Sequence, residues 1–132
     1  MKTYKLSGHN IKSLGDFFRE FAEMVGVEYF GHNIQSFDDC LFGGYGLQSP
    51  CEIHWHDSEL SAKYLDHQCL AAWCQEVLKR NDFPDEDSRR EVEKILDEAS
   101  ARERTIQELL IENMRSAFQR SGGTIDINVV LK

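Results

Sequence analysis

Asp38 and Asp39 are adjacent carboxylates in a short amphipathic stretch of this 132-residue chain, and the chemistry open to them is the pairing of cations. The stretch reads Tyr29-Phe30-Gly31-His32-Asn33-Ile34-Gln35-Ser36-Phe37-Asp38-Asp39-Cys40-Leu41-Phe42-Gly43. Gly31 breaks what precedes it, and Asn33 has the side chain of a helix N-cap. Ile34, Phe37 and Leu41, with Cys40 beside them, follow the spacing of a helical face that seeks a core. The other face carries Gln35, Asp38, Asp39 and Phe42. Acids alone describe an ordinary solvated face. A phenylalanine among them, with Tyr29 before the helix and Tyr45 after it, frames the acids with aromatics, as in a protein-binding site for a basic partner.

His54 and His56 are the second set with chemical potential. Alternation along Cys51 to His56 puts both imidazoles on one strand face with Glu52, and Cys51, Ile53 and Trp55 on the other. Together with Cys51, His67, Cys69 and Cys74 they raise the question of zinc. However, Cys51 faces away from the imidazoles and no Cys-x-x-Cys pair exists. The chain also lacks a His-Glu-x-x-His helix, a phosphate loop and a nucleophile elbow. The expectation is a protein that is not an enzyme and holds no metal or cofactor. A metal-dependent hydrolase using His54, His56 and Asp39 is kept as an alternative.

The net charge of -8 and pI near 5.1 repel a phosphate backbone, so a basic protein is favoured over nucleic acid as partner. No apolar run of membrane-spanning length occurs, and Met1 to Lys5 leads into a strand instead of an apolar leader core. A cytoplasmic protein without membrane association is expected, with Cys40, Cys51, Cys69 and Cys74 as reduced thiols.

Strands and helices alternate around these residues. Tyr4 to Leu6 reads as a strand closed by the turn cluster Ser7 to Asn10. Ser13, with Asp16 three residues on, caps a helix whose buried stripe is Leu14, Phe17, Phe18, Phe21, Met24 and Val25. After the acidic helix and the Gly43 to Gly46 loop come the strand Cys51 to His56 and a helix, capped by Asp57 or Ser58, running through Leu60, Tyr64 and Leu65. Leu70, Trp73, Cys74, Val77 and Leu78 recur at helical spacing. Asn81 to Pro84 ends that helix and opens another, with Pro84 in its first turn and Val92, Ile95, Leu96 and Ala99 as its stripe. A last helix spans Ile106 to Phe118 and stops at Ser121 to Gly123. Ile125, Ile127, Val129 and Leu131 alternate as the closing strand.

Such alternation predicts an α/β fold: a small three-stranded parallel sheet packed with helices. Polar residues alternate with apolar ones at Glu52, His54, His56, Asp126 and Asn128, so helices are expected mainly on one face. One domain, 1-132, accommodates the whole, with a helical insertion at about 66-104, since so short a segment rarely holds its own core without a metal or disulfide.

The run from Tyr29 to Gly43 resembles the core motif of the barstar family, intracellular ribonuclease inhibitors in which an aromatic pair, Gly, any residue and Asn precede a short helix ending Asp-Cys-Leu-x-Gly. The likeness extends to Tyr4 to Leu6 with Gly8 and Ile11, to Pro50 to Trp55 and to Asp126 to Leu131. It implies a barstar-like fold and a one-to-one complex with a basic ribonuclease or nuclease toxin. In that complex Asp39 would take the place of a substrate phosphate among the target's cations. The partner-binding residues are then Tyr29, Asn33, Gln35, Asp38, Asp39, Phe42, Gly43 and Tyr45. The chain departs from the family's pattern at Gln35, where an acid is expected, at Asp38 and Gly44, where tryptophans are expected, and in Met114 to Arg120, which holds Arg115 and Arg120 instead of acids. A related but distinct nuclease target suits these departures. An adaptor that binds through the inserted helices is the remaining alternative.

Overall fold

A computed structural model of the chain describes residues 1–27, 33–42 and 47–132. They form two compact units, Met1–Tyr64 with Leu110–Lys132, and Leu65–Leu109.

The first unit is built on three parallel strands, β1 (Lys2–Ser7), β2 (Cys51–His56) and β3 (Ile127–Leu131), in the order β1-β2-β3. Tyr4 stands beside Ile53, and Ile53 beside Val129. On β2, Cys51, Ile53 and Trp55 are buried while Glu52, His54 and His56 are half-buried. The alternation therefore sets a core face and a polar face, and the α/β expectation holds. The closing strand starts later than the sequence predicts, and Ile125 lies outside it. The Ile125 amide donates to Ser121 Oγ at 2.9 Å and the Asp126 amide to Ser49 Oγ at 2.7 Å, so hydroxyls take the bonds a ladder would have used.

Helix α1 (Leu14–Val25) covers the apolar face. Ser13 Oγ accepts the Asp16 amide at 3.0 Å, and the Asp16 carboxylate accepts the Lys12 amide at 3.0 Å, a reciprocal cap reaching one residue further back than the usual box. Phe17, Phe18 and Phe21 then enter a core of aromatic rings with Phe37 and Trp55. Phe17 lies 5.4 Å from Trp55 and 5.3 Å from Phe37, and Phe21 lies 4.9 Å from Phe37. The buried indole N–H of Trp55 donates to Ser61 Oγ at 3.1 Å, which satisfies its one polar group. Ser61 lies on α3 (Ser58–Ala62), which is shorter than expected: Leu60 and Tyr64 are exposed, and only Leu65 of the three apolar positions is buried.

The predicted final helix is two helices, α6 (Ile106–Arg115) and α7 (Ala117–Arg120). Ser116 Oγ donates back to the Asn113 carbonyl at 3.3 Å, a local bond that bends helices. Phe118, in the second of these helices, is 53% exposed.

A 3-10 turn, Gly8–Asn10, follows β1, and its first residue admits no side chain. A Cβ on Gly8 would sit 2.3 Å from the Asp57 carbonyl oxygen and 2.7 Å from that of His56, both backbone atoms at the end of β2. Gly8→Ala is expected to destabilise the fold by roughly 1–3 kcal/mol, the usual cost of overpacking. Denaturant melts check this, and a change under about 0.5 kcal/mol, the range of neutral surface substitutions, would show that the strand ends shift freely.

The second unit holds α4 (His67–Arg80), α5 (Glu86–Ser100) and the start of α6. Asp66 caps α4 by accepting the Cys69 amide at 2.9 Å, and Asn81 closes it in the left-handed region at φ 52. Asp85 caps α5 through the Ser88 amide at 2.7 Å, and hydrogen bonds from Ser88 hold its carboxyl below the usual range. Pro84 thus precedes the cap instead of entering the first turn, because the aspartate next to it takes the capping role. Leu70 and Cys74 of α4 and Ile95 and Ala99 of α5 are the buried positions of these two helices, which pack together. The unit's ends are tied to each other: the Gln107 amide donates to the Leu65 carbonyl and the Ile106 amide to the Asp66 carbonyl, each at 3.2 Å.

Candidate functional site

Helix α2 (Ile34–Leu41) carries the acids. Asn33 Oδ1 accepts the Ser36 amide at 2.8 Å, so the asparagine expected at the interface fixes the start of the helix. Phe37, Cys40 and Leu41 are buried. Phe37 makes edge contacts with both Phe17 and Phe21, which locks the rotation of α2 about its axis. That rotation turns Gln35 and Asp39 out to solvent, with Phe42 at the C-terminus 37% exposed. Tyr29, Gly43 and Tyr45 lie outside the described residues.

The two aspartates have different surroundings. Asp38 is half-buried, and each of its oxygens accepts from Arg120 at 2.9 Å, in a bidentate fork. No ion pair joins Asp39 to another of the described residues. The picture of two equivalent outward acids therefore changes: one carboxylate is neutralised within the fold and one is presented. Arg120 also donates from Nη2 to the Asn113 carbonyl at 2.7 Å and from Nε to Ser116 Oγ at 3.0 Å, and its guanidinium carbon lies 4.8 Å from the centre of the Phe42 ring. Sequence reasoning marked Arg120 only as a departure from the family's pattern. Positions 38 and 120 are 82 residues apart, and no spacing rule links them.

The histidine pair sits on the polar face of the sheet. His54 Nε2 meets Glu52 Oε1 at 2.7 Å, and the His54 and His56 rings stack at 6.3 Å. The bond from His54 holds the Glu52 carboxyl below its ordinary range. Desolvation, reinforced by Lys5, Lys132 and His54 and opposed by Asp57, holds the His56 imidazole below its ordinary pKa. Among the described residues no three His, Cys, Asp or Glu side chains gather as a metal site. All four cysteines are free thiols. Burial pushes Cys51 and Cys74 up to about 11, and raises Cys40 and Cys69 as well, which keeps them protonated and poorly nucleophilic at neutral pH. No described helix is long and apolar enough to cross a membrane.

The arrangement on α2 is thus a rigidly mounted, solvent-facing carboxylate beside a partly exposed aromatic ring, suited to entering a cationic pocket on another protein. A family model described as Barstar (barnase inhibitor) matches residues 1–112, from β1 into α6. A comparison with curated proteins gave no match.

Proposed function

The chain belongs to the Barstar family of barnase inhibitors, and on that premise we propose that it inhibits a basic ribonuclease or nuclease toxin by placing Asp39 in the active-site cleft. The observation that carries this reading is Asp39 itself, exposed and without a cation among the described residues, on a helix whose other face is held by Phe37 in the aromatic core. A ribonuclease cleft is lined with Arg, Lys and proton-transferring groups arranged for a phosphate, and a carboxylate meets the same cations. Gln35 and Phe42 border that contact, with Tyr29, Gly43 and Tyr45 completing it. Asn33 and Asp38 serve it from within the fold, by capping α2 and by engaging Arg120. The protein acts without turnover, metal or cofactor, as a one-to-one immunity partner in the cytoplasm. We read Leu65–Leu109 as an insertion within a single inhibitor domain, a reading supported by the hydrogen bonds that tie its two ends together.

Titration of the purified protein against barnase, and against any basic nuclease encoded beside it, tests this function. RNA cleavage by the cognate enzyme is expected to vanish at one equivalent of inhibitor. With a net charge of -8 steering the encounter, the association rate should fall about tenfold or more from low to physiological salt, with dissociation changing less. Full cleavage by every such nuclease at excess inhibitor would reject the function. A flat association rate would remove steering and leave shape complementarity alone.

A further inference from the structure

We propose that Arg120 is a positioning residue that sets which nuclease the α2 face accepts, by withdrawing Asp38 from the acidic surface and holding Phe42 beside Asp39. This rests on the inhibitor reading above. An isolated exposed ion pair would contribute little. Here, however, four of the five guanidinium N–H groups are directed to fixed acceptors: two to Asp38 at 2.9 Å, one to the Asn113 carbonyl at 2.7 Å and one to Ser116 Oγ at 3.0 Å. The plane also covers the Phe42 ring at 4.8 Å. Asp38 and Phe42 are one helical turn apart at the C-terminal end of α2, so a single side chain from α7 fastens both. Asp38 and Arg120 cancel in charge, and the face offers one carboxylate with an aromatic ring at its side. It therefore fits a cleft that takes a single anion next to an apolar wall. A cleft with two separated cationic pockets is a worse match, because one of them would be buried unpaired.

Rates of association and dissociation with the nuclease that the wild type inhibits, measured at low and physiological salt beside thermal melts, test the assignment on Arg120→Gln, Arg120→Lys, Asp38→Asn and the double variant Asp38→Asn with Arg120→Gln. Freed Asp38 charge should make Arg120→Gln associate about twofold faster at low salt only. Loss of the fastening should make it dissociate about tenfold faster. The double variant should lose the gain in association, and Arg120→Lys should restore the wild-type association rate with intermediate dissociation. A residue that merely stabilised the fold would lower the melting temperature without a salt-dependent rise in association. If wild type inhibits and Arg120→Gln matches it in both rates, this inference fails alone. If the wild type inhibits no nuclease, the inference falls together with the proposed function.

Discussion

Replacing Asp39 with alanine is expected to weaken inhibition of the cognate nuclease more than any other single change on α2, while leaving the stability of the free protein nearly unchanged. The two effects separate because of where the carboxylate lies. In the free protein Asp39 is exposed and makes no ion pair with another described residue, so its removal is a surface substitution worth about 0.5 kcal/mol or less. In the complex its removal would strand the target's cations in a desolvated cleft, at a cost of roughly 3–5 kcal/mol. At about 1.4 kcal/mol per decade, that is a loss of a hundredfold or more in affinity. Gln35→Ala, at the exposed and uncharged neighbour on the same face, should cost about tenfold or less, as most contacts around a dominant residue do. Equal inhibition by Asp39→Ala and wild type, in the same assay and at the same ionic strength, would reject the phosphate-replacing role of Asp39 even if the protein proved to be an inhibitor by another surface.

The contrast between Asp38 and Asp39 also shows what was legible in the residues. Local signals carried far: the Asn33 and Ser13 caps and the alternation on β2 follow from neighbours within a turn or two and are present, and of the expected α1 stripe Phe17, Phe18, Phe21 and Val25 are buried, while Leu14 and Met24 are half-buried. Where the reading failed, a competing local bond or a distant partner decided the outcome. The last helix is divided at Ser116, whose hydroxyl bonds backward to the Asn113 carbonyl, a bond that the apolar spacing does not announce. The closing strand lost Ile125 to the hydroxyl of Ser121. Asp38 and Asp39 are adjacent in sequence, and it is Arg120, on an element 82 residues away, that pairs with one of them. Long-range pairing of charges has no period to detect, so the half of the site that depends on it had to come from the structure.

Phe37→Ala tests how the presented carboxylate is held, and its expected effect falls on stability first. The ring is fully buried, 4.9 Å from Phe21, 5.3 Å from Phe17 and 6.5 Å from Phe18. Truncation should cost roughly 3–5 kcal/mol, from lost transfer energy and the cavity left among rings that cannot collapse. That is a large part of the about 5–15 kcal/mol that holds a typical domain. The cost reaches function because α2 has only eight residues, too few to remain helical in water without tertiary contacts. Phe37 is the side chain that ties α2 to the rings of α1, so a loosened α2 no longer presents Asp39 in one orientation, and binding must then supply the ordering. Phe37→Leu fills most of the space and should lose about 1 kcal/mol of stability with inhibition largely kept. Denaturant melts and inhibition titrations on the two variants, at a temperature where both stay folded, distinguish anchoring from bulk stability. The expected result is a Phe37→Ala protein that is folded yet binds at least tenfold more weakly, because its carboxylate is present but no longer held in place. Unchanged affinity in a folded Phe37→Ala protein would mean that α2 is oriented without the aromatic core, and that the order of the Asp39 face comes from the Asp38 and Arg120 tie instead.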